Sequence, residues 1–572
     1  MVPPTPPPHH QVRRKRSRQA FGVPQQVVAG IILLLWLGVL LVGVAVCHRY
    51  DTTSAATSTD AMTFSATANR RNLREVTSAV TALVVSDSQP PVPVPVPEKK
   101  PALALDEIVE YLEGWITQLH KQLLDIPRPA AVESVWEAFH NLTEQTLYPW
   151  DQEYLTRMPT RRTDGSIFLS VISYRDEHCT NTLEQAYAQA QDPDNLFVGL
   201  VQQNCYKDCR TGLQEDGLYH KTDPDPDCYE TFCQTDVGAP HCQAGRVRVL
   251  RMEEPESLGP YMARYLASKI WYGEEYYIQI DSHMTFAQSW DAISISSLQK
   301  APSNKPVISH YPPSHKFDLK TFERLPASRI CGPIFTPNTI RLEGSQIWDI
   351  WKLDTPRFAP VLGAGYVVAQ SSILKEVPYD PFLPWVFMGE EIILSARLWT
   401  AGYDFFSPAQ AVLGHIYNRE HTPKFWESVH RAFTPGLYNE MQELVGERIK
   451  HQLDYPEYSR DMVASSSILT ASDQYAMGTT ADRTLDDYMK MIGMNTTTKE
   501  VTRMEWCEHG QPPPGFEQYK HLYEHKGRTS VRRKTLAQKV ASVASKVLVV
   551  VLGLLLLLLP LRKRWLRPGQ DN

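Results

Sequence analysis

Tyr276-Tyr277-Ile278-Gln279-Ile280-Asp281-Ser282-His283 is an apolar, β-rich run that ends in three polar residues. Its composition predicts a strand over 276–280, with Asp281 and His283 at its C-terminal end. Three similar runs precede it, at Ile167–Tyr174, Leu196–Gln203 and Val247–Arg251. Helical stretches are expected between them, over Asn181–Gln191 and Pro260–Trp271. Strands alternating with helices predict an α/β fold: a mostly parallel sheet covered on both faces. In such sheets ligands bind beyond the C-terminal strand ends. Arg175, Asp176, Asp281 and His283 all fall there.

Asp281-x-His283 is the sharpest local feature. In extended chain, residues i and i+2 project to one side. A carboxylate and an imidazole can then grip one divalent cation and leave positions open. Such a cation can bridge the diphosphate oxygens of a nucleotide-sugar. Mixed oxygen and nitrogen ligation suits Mn²⁺, with Mg²⁺ as the alternative. By itself the motif is common in turns and caps; its place after a strand singles it out. Further on, Gly389-Glu390-Glu391 opens an amphipathic helix that runs to Trp399. Acids in a first turn also complement the helix dipole. Adjacent helical residues point about 100° apart, so one of the pair is expected to face a ligand and the other to support the turn. His415 follows the strand-like Leu413-Gly414 and is a candidate third metal ligand.

Several segments together resemble a known family. They are Ser170–Asp176, Gly259–Arg264, Tyr276–Phe286, Trp290-Asp291, Gly389-Glu390-Glu391 and His415-Ile416-Tyr417, in that order over roughly 165–430. They look like the GlcNAc-transferase family, which contains the polypeptide α-N-acetylglucosaminyltransferases that modify hydroxyproline or mucin threonine. The Asp-Ser-His and Gly-Glu segments are also similar to those of mucin-type polypeptide N-acetylgalactosaminyltransferases. The resemblance implies a GT-A, Rossmann-like domain, a retaining outcome and UDP-GlcNAc as donor. It carries Asp281, His283 and His415 onto metal positions. Ser173, Tyr174, Arg175 and Asp176 would border the uridine pocket, and Arg264, Asp281, Trp290 and Asp291 would bind the nucleotide-sugar. Glu390 and Glu391 are the expected catalytic carboxylates, in positioning roles. In a retaining transferase the leaving diphosphate can itself take the acceptor proton. The acceptor is expected to be a Thr, Ser or hydroxyproline hydroxyl of a protein or glycoprotein. UDP-GalNAc or UDP-glucose on the same scaffold, or an inactive sugar-binding protein, are the alternatives. A zinc hydrolase is disfavoured because the chain has no H-E-x-x-H.

The chain has 572 residues, 58 basic and 64 acidic, for a net charge of −6. A binder relying on a basic surface for nucleic acid is thereby disfavoured. Val27–Cys47 carries no charge over 21 residues and follows Arg13, Arg14, Lys15, Arg16 and Arg18. That pattern predicts an uncleaved signal anchor with a cytosolic N-terminus, a cleaved signal peptide being the alternative. A second apolar run, counted from Val540 to Leu561, precedes Arg562, Lys563, Arg564 and Arg567. It predicts a returning membrane helix, with an amphipathic surface segment as the alternative. A basic tail after it argues against a GPI signal.

The expected organisation is a basic tail (1–26), the signal anchor (27–47), a Ser/Thr/Pro-rich stem (48–104) and a helical stem or docking region (105–160). The transferase domain (161–450), an extension (451–539), the second membrane helix (540–561) and a basic tail (562–572) complete it. The central domain is then luminal, in the Golgi or ER membrane, and the sequons at Asn141 and Asn495 are usable there. Eight of nine cysteines lie between the apolar runs. Disulfides are favoured over a zinc knuckle, with the pairing open.

Overall fold

A computed structural model describes residues 100–522, except 208, 210–222, 318–326, 337–338, 346–354, 420–421, 427–428, 430–432, 434–435, 459–466, 481, 503, 505 and 508–514. The two expected membrane segments, both basic tails and the stem to residue 99 lie outside the described residues. Among the described residues, no helix is long and apolar enough to cross a membrane.

Three helices come first: α1 (Leu105–Leu124), α2 (Val132–Leu142) and α3 (Tyr148–Arg157). The buried face of α1 carries Ile108, Leu112, Trp115, Ile116 and Leu119 at three-and-four spacing, with Tyr111 half-buried at its edge. Pro127 and Pro129 end that helical stretch before α2, because proline supplies no amide hydrogen and disfavours helix in the residue before it. These helices are fastened to the body of the domain. Trp136 Nε1 donates to Ser467 Oγ at 2.9 Å, and the amide of Arg251 donates to Glu113 Oε1 at 2.8 Å. Fully buried Asp151 accepts from the hydroxyls of Tyr265 (3.0 Å) and Tyr475 (2.8 Å) and pairs with Lys269.

The main sheet begins with β1 (Ile167–Tyr174), α4 (Cys179–Gln189), β2 (Leu196–Asn204), β3 (Val247–Glu253), α5 (Gly259–Lys269) and β4 (Tyr276–Asp281). A short strand β5 (Met284–Phe286), helix α6 (Trp290–Lys300) and strand β6 (Pro306–Ser309) follow. Next come the hairpin β7 (Arg329–Phe335) and β8 (Ile340–Ser345), then β9 (Arg357–Ala359) and β10 (Tyr366–Gln370). Helix α7 (Glu390–Thr400), β11 (Asp404–Ser407), β12 (Leu413–His415) and α8 (Leu437–Gln452) lead into the C-terminal segment.

Eight strands lie in the order β3-β2-β1-β4-β10-β6-β11-β9. β3, β2, β1 and β4 are mutually parallel, as the alternation predicts, and β11 is parallel to β6. β10 and β9 run against their neighbours. β1, β2 and β4 are mostly buried, which fits strands covered on both faces, whereas β3 at the sheet edge is only half-buried. Ile172 on β1 stands beside Asp281 on β4, so the two strand ends share one edge. Everything that follows β1 and β4 therefore meets at one place.

Eight cysteines form four disulfides: Cys179–Cys228, Cys205–Cys209, Cys233–Cys242 and Cys331–Cys507. Among the described residues no cysteine is left for the zinc alternative. The last bridge ties the segment after α8 to β7.

Candidate active site

β5 and β12 form a two-stranded ribbon outside the main sheet, with Met284 paired to His415. That ribbon carries a histidine from far along the chain onto the Asp-x-His turn. The backbone holds it from two sides: His415 N donates to Pro313 O at 2.8 Å, and Ile416 N donates to His283 O at 3.1 Å. The Nε2 atoms of His283 and His415 stand 3.1 Å apart, and Asp281 Oδ2 lies 3.2 Å from His415 Nε2. Ligand atoms of all three residues lie within 4.8 Å of one another. Bonds of roughly 2.1 Å separate neighbouring ligands by about 3.0 Å in octahedral and 3.4 Å in tetrahedral coordination. The two short contacts fall in that span. Two imidazoles and one carboxylate form a donor set suited to a borderline divalent cation.

Electrostatics favour the ligating forms. Burial alone would push the Asp281 carboxyl up, but the contact with His415 and the charge of Arg264 hold it well below the usual carboxylate range. Burial pushes the His283 imidazole down, against the pull of Asp176, and so favours its neutral form. Gly365 lies against the carboxylate: a Cβ there would stand 3.0 Å from Asp281 Oδ2.

Arg264, on α5, is buried behind this group. It donates through one nitrogen to Asp281 Oδ1 at 2.9 Å and through another to Glu390 Oε2. Glu390 Oε1 is buried with no hydrogen-bond partner among the described residues. Glu391 differs: Oε2 accepts from Tyr311 Oη at 2.6 Å, and Oε1 accepts from Ala364 N at 2.9 Å. The two carboxylates thus differ in their partners: Glu390 has one buried oxygen without a partner among the described residues, and Glu391 fastens the loops that carry Tyr311 and Ala364. Gly389 starts the helix at φ 100°, where a Cβ would come within 2.9 Å of both Ile449 and Thr339. Its lack of a side chain serves a tight turn against protein.

These groups line one cleft of about 740 Å³. Tyr174, Arg264, Asp281, His283, Glu390, Glu391 and His415 all border it. Five other expected residues do not, Asp176 among them. Trp290 is fully buried and donates Nε1 to Ala186 O at 2.8 Å. Asp291 accepts from the amides of Gln191 (2.8 Å) and Asp192 (2.9 Å), pinning the loop after α4. Ser173 is buried within β1, and Arg175 pairs at 2.8 Å with buried Asp225. A motif next to a site can serve the scaffold, and these four, with Asp176, correct the expectation of nucleotide-sugar contacts. Asp176 lies behind the cleft wall, within 2.6 Å of His283 Nδ1.

The cleft also takes in residues that no local signal marked: Gln203, Ser257, Tyr311, Arg341, Arg419 and the Phe387-Met388 edge. Most come from loops, where sequence carries no periodicity to read.

The model of the family described as Glycosyltransferase (GlcNAc) matches residues 166–498. The chain belongs to this family. Among solved structures it is similar to GalNAc-T7 crystallised with UDP, GalNAc and Mn²⁺. Identity there is 13%, over 62% of this chain and 58% of that one, with a TM-score of 0.34. It is also similar to Staphylococcus aureus TarS residues 1–349 in complex with UDP-GlcNAc (13% identity, 60% and 92% coverage, TM-score 0.27). The mannosyltransferase PcManGT from Pyrobaculum calidifontis, with GDP-Man and Mn²⁺, matches at 13% identity, 65% and 87% coverage and a TM-score of 0.27. The chain thus spans just over half of the GalNAc-T7 chain it matches. No curated protein matches it significantly.

One consequence for this glycosyltransferase concerns pH. Burial pushes the Glu391 carboxyl up from 4.5 to about 7, although the bonds from Tyr311 and Ala364 oppose the shift. Between those values the folded chain holds a proton that the unfolded chain has lost. Stability contributed by this group therefore falls as pH rises through the window, by on the order of 3 kcal/mol in all. Glu391→Gln removes that slope. The melting temperature of the variant is expected to gain on the parent between about pH 5 and pH 8. Parallel pH profiles for the two proteins would show that Glu391 ionises in the ordinary range.

Proposed function

We propose that this glycosyltransferase moves GlcNAc from UDP-GlcNAc onto a Thr, Ser or hydroxyproline hydroxyl of a protein, with a divalent cation, Mn²⁺ or Mg²⁺, at Asp281, His283 and His415. The observation that carries the reading is the meeting of those three residues beside the Arg264–Glu390 pair in one cleft. Bound by these three residues, a cation would supply positive charge to a departing diphosphate. The chain's own residues do the rest. Arg264 holds Asp281 and Glu390 in place, and the spare oxygen of Glu390 accepts a hydrogen bond from a donor-sugar hydroxyl. Tyr174, Gln203 and Ser257 form the nucleoside end. The acceptor lies along the opposite edge, where Phe387 and Met388 are exposed beside Phe425 and Trp426.

The decisive experiment incubates the purified chain with UDP-GlcNAc, UDP-GalNAc or UDP-glucose, with and without Mn²⁺, and measures released UDP. Release from UDP-GlcNAc that needs the metal, and rises with a threonine or hydroxyproline peptide, is the expected result. Background release from all three donors would overturn the reading. Preference for another sugar would move the donor while leaving the chemistry.

The same proposal places the catalytic region in the lumen of the Golgi or ER, held by the apolar runs at 27–47 and 540–561. Asn141 and Asn495 are both exposed, as an acceptor asparagine must be. Endoglycosidase treatment of the protein from cells is expected to increase its gel mobility. A protein without glycans, whose central domain is degraded by protease outside intact microsomes, would refute luminal placement.

A further inference from the structure

We propose that Asp176 is the positioning residue of the metal centre: it fixes His283 with Nδ1 protonated, so that Nε2 presents its lone pair to the ion. The inference rests on reading Asp281, His283 and His415 as ligands. Asp176 Oδ2 lies 2.6 Å from His283 Nδ1, and its side chain is fully shielded from solvent. The same oxygen accepts from Ser282 Oγ at 2.7 Å and from Arg419 at 3.1 Å. The other oxygen accepts from the amide of His178 at 3.0 Å. Four donors, from the turn after β1, the Ser282-His283 pair and Arg419, thus hold one carboxylate still.

A carboxylate at one ring nitrogen settles which nitrogen carries the proton, fixes the ring plane and raises the basicity of the other nitrogen. His283 Nε2 is the atom that faces His415. His415 has no such support: its Nδ1 is buried with no hydrogen-bond partner among the described residues. Its ring is held by backbone pairing in the ribbon and by the Tyr417 ring, whose centroid lies 4.1 Å away. The two imidazoles are therefore held by different means, and the buried carboxylate acts through only one of them. Asp176 is not among the residues that border the cleft.

Direct Mn²⁺ binding to the full chain without donor, read as free Mn²⁺ by electron paramagnetic resonance, tests this. Asp176→Ala is expected to weaken binding roughly 10–100-fold. Asp176→Asn should fall between, because its carbonyl oxygen still accepts the Nδ1 proton without supplying charge. Ser282→Ala, a small change, should weaken binding slightly in the same direction and carries the test if Asp176→Ala does not fold. The visible absorption of the Co²⁺-loaded protein should change in the Asp176 variants, since the ring is free to turn. Equal Mn²⁺ affinity in the parent and all variants would overturn the positioning role, as would a lowered melting temperature with unchanged affinity. A parent chain that binds no Mn²⁺ would overturn the metal reading itself, a separate failure.

Discussion

Asp281→Asn lowers sugar transfer by more than about 100-fold while the fold survives. The comparison sets the scale: changes one layer further out at metal sites cost roughly 10–100-fold. Asp281 stands at the centre of two contacts, facing His415 through Oδ2 and Arg264 through Oδ1. Asparagine keeps the shape and one carbonyl oxygen. It loses the negative charge that would hold the cation and half of the counter-charge around Arg264. Released UDP and bound Mn²⁺ should fall together. His283→Ala is expected to behave alike, and His415→Ala to follow because its Nε2 stands beside both other ligands. Full activity of these variants, or of the parent in EDTA, would remove the cation from the reaction.

Arg264→Met costs stability as well as activity, about 3–5 kcal/mol. Breaking a buried ion pair by deleting one partner leaves charge in a poor dielectric without compensation. Here two carboxylates, Asp281 and Glu390, lose their shared partner at once. Methionine nearly matches the stem, so the loss comes mainly from charge. Burial already pushes the Glu390 carboxyl up, with Arg264 opposing that shift. Removing the arginine should drive Glu390 toward its neutral form. The double variant Arg264→Met with Glu390→Gln is therefore expected to melt higher than Arg264→Met alone. A double-mutant cycle in melting temperature reads this coupling. Additive losses would mean that the two residues do not act as a pair.

The strand ends were legible because a buried parallel strand is an uninterrupted apolar run, and the first polar residues after it must lie at the sheet edge. That logic reached Asp281 and His283, and it reached His415 through Leu413-Gly414. It did not separate residues that face the cleft from residues that face the scaffold. Trp290 and Asp291 sit in a familiar-looking motif, yet their hydrogen bonds go to backbone atoms of α4 and the following loop. Asp176 was placed near the nucleotide because it follows β1. Its actual partner, His283, is more than a hundred residues away, and only the register of β1 on β4 brings the two together. Helical geometry points Glu390 and Glu391 in different directions, but which one keeps a spare oxygen depends on Arg264, Tyr311 and Ala364. Cysteine pairing depends wholly on tertiary contacts. The segment after residue 450 reads as an extension since it has no chemical motif, yet Ile468, Tyr475, Tyr488 and Cys507 are buried in the core.

The Cys331–Cys507 bridge sets practical limits on dissecting the enzyme. The hairpin it anchors supplies Arg341 to the cleft wall, and Thr339, just before β8, packs under Gly389. A fragment cut at residue 450, where the recognisable motifs have ended, would leave Cys331 with an unpaired thiol. It would also strip Tyr475 from Asp151 and Ile468 from the backbone bond it accepts from Arg448. Expression boundaries chosen from motifs alone would therefore yield a chain that retains every expected ligand and lacks the support beneath them. A fragment suited to crystallisation or assay begins before Leu105 and ends beyond Leu522, and it is produced where disulfides form.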